Sequence, residues 1–517
     1  MPILGNILKK AVSLRKTLDS VNEQLDKLKL RRNTYTKQKA VLKNILTTAA
    51  DTEFGKHFHF QSLIQTKDFV KGFQKIVPLF DYDLLYDKWW HKCVNGKEDV
   101  CWPGKTQYFA LSSGTSGAAS KYIPVTKDQL SVLRKTGVRQ LTALAYFDLP
   151  EDIFTKGWLM IGGSTDLKKN AGGFEGDLSG ITTSNLPFWF NRFYKPGTQI
   201  AREREWNIKI QKMVENARNW DIAFVAGVPA WVQMLFEQII QHYNVKTIHD
   251  IWPNLTVYMH GGVAFEPYKK AFEKLVSRPL IYIETYLASE GFIAYQTRPD
   301  SVGMQLVTNQ GIFFEFVPFN DDNFDSDGRM NPNAKALTLK EVEQGKDYAI
   351  LLTTVSGAYR YLIGDTVRFV NLERNEIIIT GRVKFFLSLC GEHLSVDNMT
   401  KGLNLAAEKL NVSIPEFTVA GIPHDGFFAH HWFVACDENV DAEKLRILID
   451  EHLKELNDDY AVERKSALRE VLITVLPVST FYDFMQKQGK IGSQSKFPRV
   501  LKGDKLNDWL SFIKNRQ

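Results

Sequence analysis

Ile222-Ala-Phe-Val-Ala226 is a short apolar run, stopped by Gly227-Val228-Pro229 and followed by apolar residues at Trp231, Leu235, Ile239 and Ile240. A five-residue apolar segment ending in turn residues predicts a strand, and the 3-4 spacing after it predicts a helix. The pattern repeats. Leu255–Met259 is strand-like, Gly261-Gly262 breaks it, Pro267–Val276 reads as a helix and Leu280–Tyr286 as a third strand. Strands alternating with helices predict parallel βαβ units, and in open sheets of that kind ligands lie beyond the carboxyl ends of the strands. Gly261-Gly262 and Tyr286–Glu290 fall at that edge.

The texture changes on either side. Beyond Gly311 it becomes β-rich, at Ile312–Phe319, Tyr348–Val355, Val367–Val370 and Glu376–Thr380. After Gly381-Arg382 strands near Phe417–Ala420, Trp432–Ala435 and Val471–Leu476 surround a helix across Ala442–Asn457. The expected fold is α/β, with a large N-terminal domain over 1–381 and a small α+β domain over 382–517. Within the large domain, mainly parallel sheets are joined by a β-rich subdomain. Residues 1–50 form a basic helical arm, with apolar residues from Leu4 to Leu28 at 3-4 spacing, a surface for packing on the protein itself or for a homodimer.

Composition narrows the function. The chain has 517 residues, 44% hydrophobic and 24% charged, which is too apolar for disorder. Net charge is +6, but residues 1–50 alone carry eleven Lys/Arg against three acids, leaving the remainder at −2. One basic segment on an acidic body argues against a nucleic-acid-binding protein. Four widely spaced cysteines without a CxxC pair favour neither a disulfide scaffold nor a zinc site, and fit a reducing cytoplasm. The chain lacks an apolar run of the ~18 residues that a bilayer span needs, and Lys9-Lys10 interrupts any signal-peptide core. A soluble protein with no stable membrane association is expected.

Three segments carry chemistry. Leu111-Ser-Ser-Gly-Thr-Ser-Gly-Ala-Ala-Ser-Lys121 offers backbone N–H groups and hydroxyls to an anion, although it matches neither GxxxxGK[ST] nor GxGxxG. Tyr286-Leu-Ala-Ser-Glu290 supplies a ring, a hydroxyl and a carboxylate suited to Mg²⁺. Tyr359-Arg-Tyr-Leu-Ile-Gly-Asp365 ends on a carboxylate suited to ribose hydroxyls. Each is commonplace alone: a surface loop, a strand end, an Asp at a turn. Weaker segments are Gly381-Arg-Val-Lys384 with Gly391-Glu392, and Gly492-Ser-Gln-Ser-Lys496-Phe-Pro-Arg499. His424, His430 and His431 lack metal-ligand spacing and are read as structural. The aromatic run Leu186–Tyr194 is expected mainly in the core, with an acyl pocket as its other use.

Taken in order, the three segments resemble the signatures of the Gretchen Hagen acyl acid–amido synthetases, members of the adenylate-forming superfamily. The resemblance covers roughly residues 50–500, and the plan is similar to the bacterial branch. It implies a two-step reaction using ATP and Mg²⁺: a carboxylic acid is adenylated with release of pyrophosphate, then an amine, usually an amino acid, displaces AMP. It further implies that Ser112, Ser113, Thr115 and Lys121 serve the phosphates, with Gly261 and Gly262 at the nucleotide edge. Tyr286 would pack by adenine, Ser289 bind phosphate, Glu290 hold Mg²⁺, and Asp365 and Arg382 take the ribose. Lys496 would stabilise the adenylation transition state, with the hinge of the small domain at Arg382–Lys384. Leu287 and Ala288 depart from the plant Tyr-Ala-Ser-Ser-Glu by adding bulk and removing one hydroxyl. Arg139, on a helix after the Ser/Gly loop, is the candidate for the acid's carboxylate. A thioester-forming ligase and a non-catalytic nucleotide-binding scaffold are the alternatives.

Overall fold

The computed structural model describes residues 30–112, 121–147, 149–150, 152–262, 265–320, 322–324, 329–383, 386–387, 389–390, 392, 394–488 and 497–516. The helix read over residues 4–28, and any homodimer through it, lies outside them. The described chain falls into two compact units, one taking the residues up to Ser112 with Lys121–Val383 and the other the residues after Val383.

The first unit is organised by one eleven-stranded sheet. Five strands form its parallel half: β3 (Gly157–Met160), β6 (Tyr194–Lys195), β7 (Ile222–Ala226), β8 (Val257–Gly261) and β9 (Ile281–Ala288), in the order β6-β3-β7-β8-β9. Helices Pro229–Tyr243 and Glu266–Leu275 make the crossovers from β7 to β8 and from β8 to β9. Proline near the start of each suits a first turn whose N–H groups have no intrahelical partner.

Beyond β9 the same sheet turns antiparallel through β10 (Gly291–Tyr295), β11 (Met304–Leu306), β15 (Glu376–Arg382), β14 (Tyr361–Asn371), β13 (Asp347–Thr354) and β12 (Ile312–Pro318). The β-rich subdomain is therefore a continuation of the parallel sheet. Apolar residues from most of its strands, among them Tyr286, Phe314, Phe316, Ile350, Phe369 and Ile377, share one buried cluster, so this half curls around its own core. A separate four-stranded sheet, in the order β2-β1-β5-β4, joins β1 (Tyr108–Ser112), β2 (Lys121–Val125), β4 (Lys168–Lys169) and β5 (Phe174–Gly176); its antiparallel β1–β2 pair places Ser112 opposite Lys121 at the base of the Ser/Gly loop. Residues 113–120 lie outside the described set.

The described part of the basic N-terminal segment is no appended arm. In helix α1 (Leu30–Thr48) Leu42, Ile45 and Leu46 are fully buried, and Gln38 bonds the backbone of Thr308, Ile312 and Phe314. A second tie is ionic. Arg360, with φ +45°, points its guanidinium at the buried carboxylate of Glu315 (3.0 Å) and donates to the carbonyls of Gln74 and Val77 at 2.7 Å each. It thereby fastens the helix Phe69–Ile76 to β12. The run Leu186–Tyr194 divides: Phe190, Phe193 and Tyr194 pack inward while Phe188 is exposed.

In the second unit, β18 (Phe417–His424) and β19 (Phe427–Ala435) are antiparallel, with β20 (Leu468–Leu476) parallel to β19 and β21 (Val500–Leu501) parallel to β18. Helices Val396–Leu410 and Ala442–Leu456 pack on one another, and Asp504–Lys514 supplies Trp509 to a buried aromatic cluster. Glu392 is fully buried and accepts from the N–H groups of Leu389 and Cys390, with the His430 ring 3.0 Å away. Burial opposes its charge, but the His430 bond and the two N–H groups win and hold its carboxyl down at about 2. His431 bonds Thr474, so both histidines are structural.

No helix among the described residues is long and apolar enough to cross a membrane.

Two outcomes are expected. Arg360→Met leaves Glu315 buried without its cation and with only the Gln74 amide as donor, at a cost of about 3 kcal/mol in denaturant unfolding of the first unit. The double change Arg360→Met with Glu315→Leu recovers much of that loss. Because Glu392 is depressed in the fold, its contribution is present above its unfolded value near pH ~4.3 and disappears as pH falls towards 2. Glu392→Gln flattens that acid limb, as monitored by near-ultraviolet circular dichroism.

Candidate active site

A carboxylate four strands away meets the tyrosine of β9. Tyr286 is buried, and its hydroxyl donates to Asp365 Oδ2 at 2.5 Å. Arg382 Nε donates to the other oxygen at 2.9 Å, and β14 and β15 place Asp365 directly opposite Arg382. The local sequence explains the aim of Asp365. Gly364 adopts φ +98°, open to glycine at no cost, and Ile363, Gly364 and Asp365 bulge against the single residue Ile350 of β13. Asp365 does not merely close a turn, the commonplace alternative for this residue: it sits inside β14, with the bulge turning its side chain towards Tyr286. A carboxylate accepts about four hydrogen bonds, so two lone-pair positions remain for ligand hydroxyls.

Glu290 lies beside this pair. Ser289 and Glu290 form the turn between β9 and β10, and the Ser289 carbonyl accepts from Gln129 at 3.0 Å. Burial lifts the Glu290 carboxyl above its ordinary range and the Asp365 charge adds to this, while Lys121 and a hydrogen bond from Tyr361 oppose it. Lys121 Nζ also lies 5.2 Å from the ring centre of Tyr82, whose hydroxyl accepts the Tyr122 N–H at 2.9 Å. Such a group is a weakly compensated buried acid, suited to a cation or to phosphate-bound metal.

Gly261 ends β8 opposite Thr285, and a Cβ there would lie 2.2 Å from the Thr285 carbonyl, so only glycine allows this strand approach. Gly262 follows at φ +83°. Tyr286, Glu290, Asp365, Arg382 and Lys121 are thus brought together, with Gly261 on the strand beside Tyr286. Ser112 stands across from Lys121 at the hairpin base, and Ser289 presents its carbonyl to Gln129. Arg139 is not brought there. It bonds Asn309 and lines a cavity of about 330 Å³ with Lys37 and Arg374, near the far end of the β14–β15 hairpin. Ser113, Thr115, Lys384 and Lys496 lie outside the described residues.

Sequence reasoning assigned no role to Tyr361, Tyr82 or Gln129. Tyr361 stood inside the motif Tyr359-Arg-Tyr361, and its signal was the second tyrosine two positions from the first, which a strand would send to the same side. The other two had no local signal.

No group of three or more His, Cys, Asp or Glu among the described residues could hold a metal on its own. Mg²⁺ binds through one or two carboxylates together with substrate phosphates. The buried Glu290 carboxylate, close to a second one in Asp365, fits that donor set.

The chain is similar to known proteins along most of its length. Models of the GH3 family match along the chain: the N-terminal domain at residues 26–200, the central domain at 305–379 and the C-terminal domain at 397–505. A jasmonoyl–L-amino acid synthetase of Nicotiana attenuata is 29% identical over 173 residues, which are 31% of this chain and 27% of that protein. An indole-3-acetic acid-amido synthetase of Arabidopsis thaliana is 26% identical over 279 residues, 49% of this chain and 45% of that protein. Matches to the first curated relatives thus span about a quarter of their length. The solved GH3.15 acyl acid amido synthetase superposes with a TM-score of 0.58 at 19% identity, covering 96% of this chain and 95% of that one. A 2-hydroxyisobutyryl-CoA ligase gives the same TM-score at 12% identity, covering 94% and 92%. At these identities the two structures speak for the adenylate-forming fold alone. With three domain models matching in order over most of its length, this chain belongs to the GH3 family.

Proposed function

We propose that the protein is an ATP-dependent acyl acid–amido synthetase. The observation that carries the reading is the Tyr286–Asp365–Arg382 arrangement with Glu290 beside it, in a chain of the GH3 family. In the first step a carboxylate oxygen attacks the α-phosphorus of ATP, the α–β anhydride bond breaks and pyrophosphate leaves. In the second an amine nitrogen attacks the acyl carbon, AMP leaves and the nitrogen gives up a proton. The acceptor is an amino acid, the amine class acted on by the curated relatives.

The chain's own residues have distinct tasks in this reading. Asp365, held at both oxygens, receives the ribose hydroxyls on its remaining lone pairs, with Arg382 at its side. The Tyr286 ring, fixed by its hydroxyl, borders the adenine. Glu290 would hold Mg²⁺, which neutralises phosphate charge when bound. Lys121 and Ser112, with Ser113 and Thr115 of the same motif, would serve the phosphates. Two anions must meet and charge builds on the α-phosphate oxygens, so a cation placed there during the first step lowers the barrier. That cation is Lys496, brought in for the first step and withdrawn about a hinge at Lys384 so that the amine can enter. The buried cysteine thiols fit a reducing compartment, and the reaction is assigned to the cytoplasm.

A thioester-forming ligase with the same fold makes the same first intermediate, so the acceptor is the discriminating variable. The test is pyrophosphate release from ATP and Mg²⁺ across a panel of carboxylic acids, with and without amino acids or coenzyme A. Release that requires one acid and turns over only with an amino acid is expected; turnover only with coenzyme A overturns the amide assignment. Lys496→Ala is expected to lower adenylation by about 10²-fold or more while ATP binding stays within about twofold. Normal adenylation by that variant removes Lys496 from the first step.

A further inference from the structure

The parallel half of the sheet has a switch point. From β3 the chain crosses outward to the edge strand β6, whereas from β7 it runs the other way to β8 and β9. The crevice beyond the carboxyl ends of β3 and β7 is where ligands bind in open sheets of this type. Beyond those ends lie the loop Ile161–Thr165 after β3 and the turn Gly227–Pro229 after β7, on strands other than the β9 and β14 that carry Tyr286 and Asp365. In the adenylating reading, on which this inference rests, the second substrate of the first step is the acid.

The loop Ile161–Thr165 is tightly seated. Its Ile161 N–H donates to Ala226 and its Gly163 N–H to Ser179 Oγ at 2.9 Å. A Cβ on Gly163 would lie 2.1 Å from an Asp177 carboxylate oxygen, and one on Gly180 would lie 2.1 Å from the Ser164 carbonyl. Beneath it is a buried ammonium. Lys209, in the helix Trp206–Asn216, is 3% exposed, and its Nζ donates to Gly162 O at 2.8 Å, Gly163 O at 3.0 Å and Ala201 O at 3.4 Å. All three N–H bonds of the ammonium are spent on backbone carbonyls, and two of those belong to the loop.

We propose that Lys209 is a positioning residue for the acid, pinning the loop after β3 in the place from which it meets the carboxylic substrate. Removing the lysine leaves the part-buried Gly162 and Gly163 carbonyls without this donor, while Ala201 O keeps the Thr165 N–H, so the loop opens locally at its glycines. The lysine also gives the loop a pH signature. Burial lowers its pKa to about 8, opposed by the facing carboxylates of Asp177 and Glu203, of which Glu203 is also paired with Lys212 at 2.7 Å. The closed loop therefore binds this proton less tightly than an open one does, so closure strengthens as pH rises through 8 towards the value of free lysine.

Amide hydrogen exchange on the full chain tests this without a substrate. In the wild type, protection of peptides over 157–166, corrected for intrinsic rates, is expected to rise several-fold between pH 7 and 9.5, with β14–β15 peptides unmoved. Lys209→Met is expected to raise exchange in 157–166 by tenfold or more and to abolish its pH dependence. Flat wild-type protection across that range overturns the latch even if the variant fails to fold. With an acid found by the panel, Lys209→Met should raise the KM for that acid about tenfold and the KM for ATP less than twofold; equal effects on both, or neither, overturn the link to the acid. A responsive loop in a protein that adenylates no acid leaves the latch standing and removes the catalytic reading instead.

Discussion

One carboxylate shared between two distant strands sets the geometry of the first unit. Asp365 accepts from Tyr286 on one oxygen and from Arg382 on the other. In hydrogen-bonding order, β9 and β14 are four strand spacings apart, about 19 Å in a flat sheet. A 2.5 Å contact between them requires the antiparallel half to curl round its core, and the bulge at Ile363–Asp365 supplies part of the bend at the point where the carboxylate must turn. Sheet curvature and site assembly are thus one event. The apolar cluster that includes Phe314, Phe316 and Phe369 drives the curl, and the polar triad fixes where it closes.

The motif Tyr359-Arg-Tyr-Leu-Ile-Gly-Asp365 divides its labour along these lines. Tyr359 stacks on Phe54 at 4.2 Å and bonds the Cys101 carbonyl, which anchors it in the core. Arg360 is spent on Glu315 and on the carbonyls of Gln74 and Val77, so this motif cation is structural and unavailable to phosphate. Tyr361 bonds Glu290, Gly364 permits the bulge, and Asp365 completes the triad. A short string therefore carries fold and site together: Tyr359 and Arg360 hold the fold, Gly364 permits the bulge, and Tyr361 and Asp365 serve the site.

This explains what the sequence revealed. The βαβ half was legible because short apolar runs ended at glycines: Ile222–Ala226 matches its strand, and Glu266–Leu275 lies within a residue of the helix read there. Glu290 and Asp365 were legible as motif members. Their mutual proximity was not, because four intervening strand spacings are crossed only through curvature, which no local pattern records. The position of Arg139 was hidden for the same reason: it lines a cavity with Arg374, at the other end of the β14–β15 hairpin from Asp365. Lys209 gave no signal, since a lysine among the polar residues of an amphipathic helix reads as solvated until three carbonyls are seen around it. The N-terminal basic segment read as an arm by charge, yet the apolar face of Leu30–Thr48 was already that of a core helix.

The central claim is that the Asp365 triad is a nucleotide site. Calorimetric titration of ATP with Mg²⁺ into the wild type and Asp365→Ala tests it most directly, with thermal unfolding of each protein as the control for folding. The variant is expected to stay folded and to bind ATP at least tenfold more weakly, since ribose recognition is lost. An Asp365→Ala protein that binds ATP as tightly as the wild type would contradict that claim.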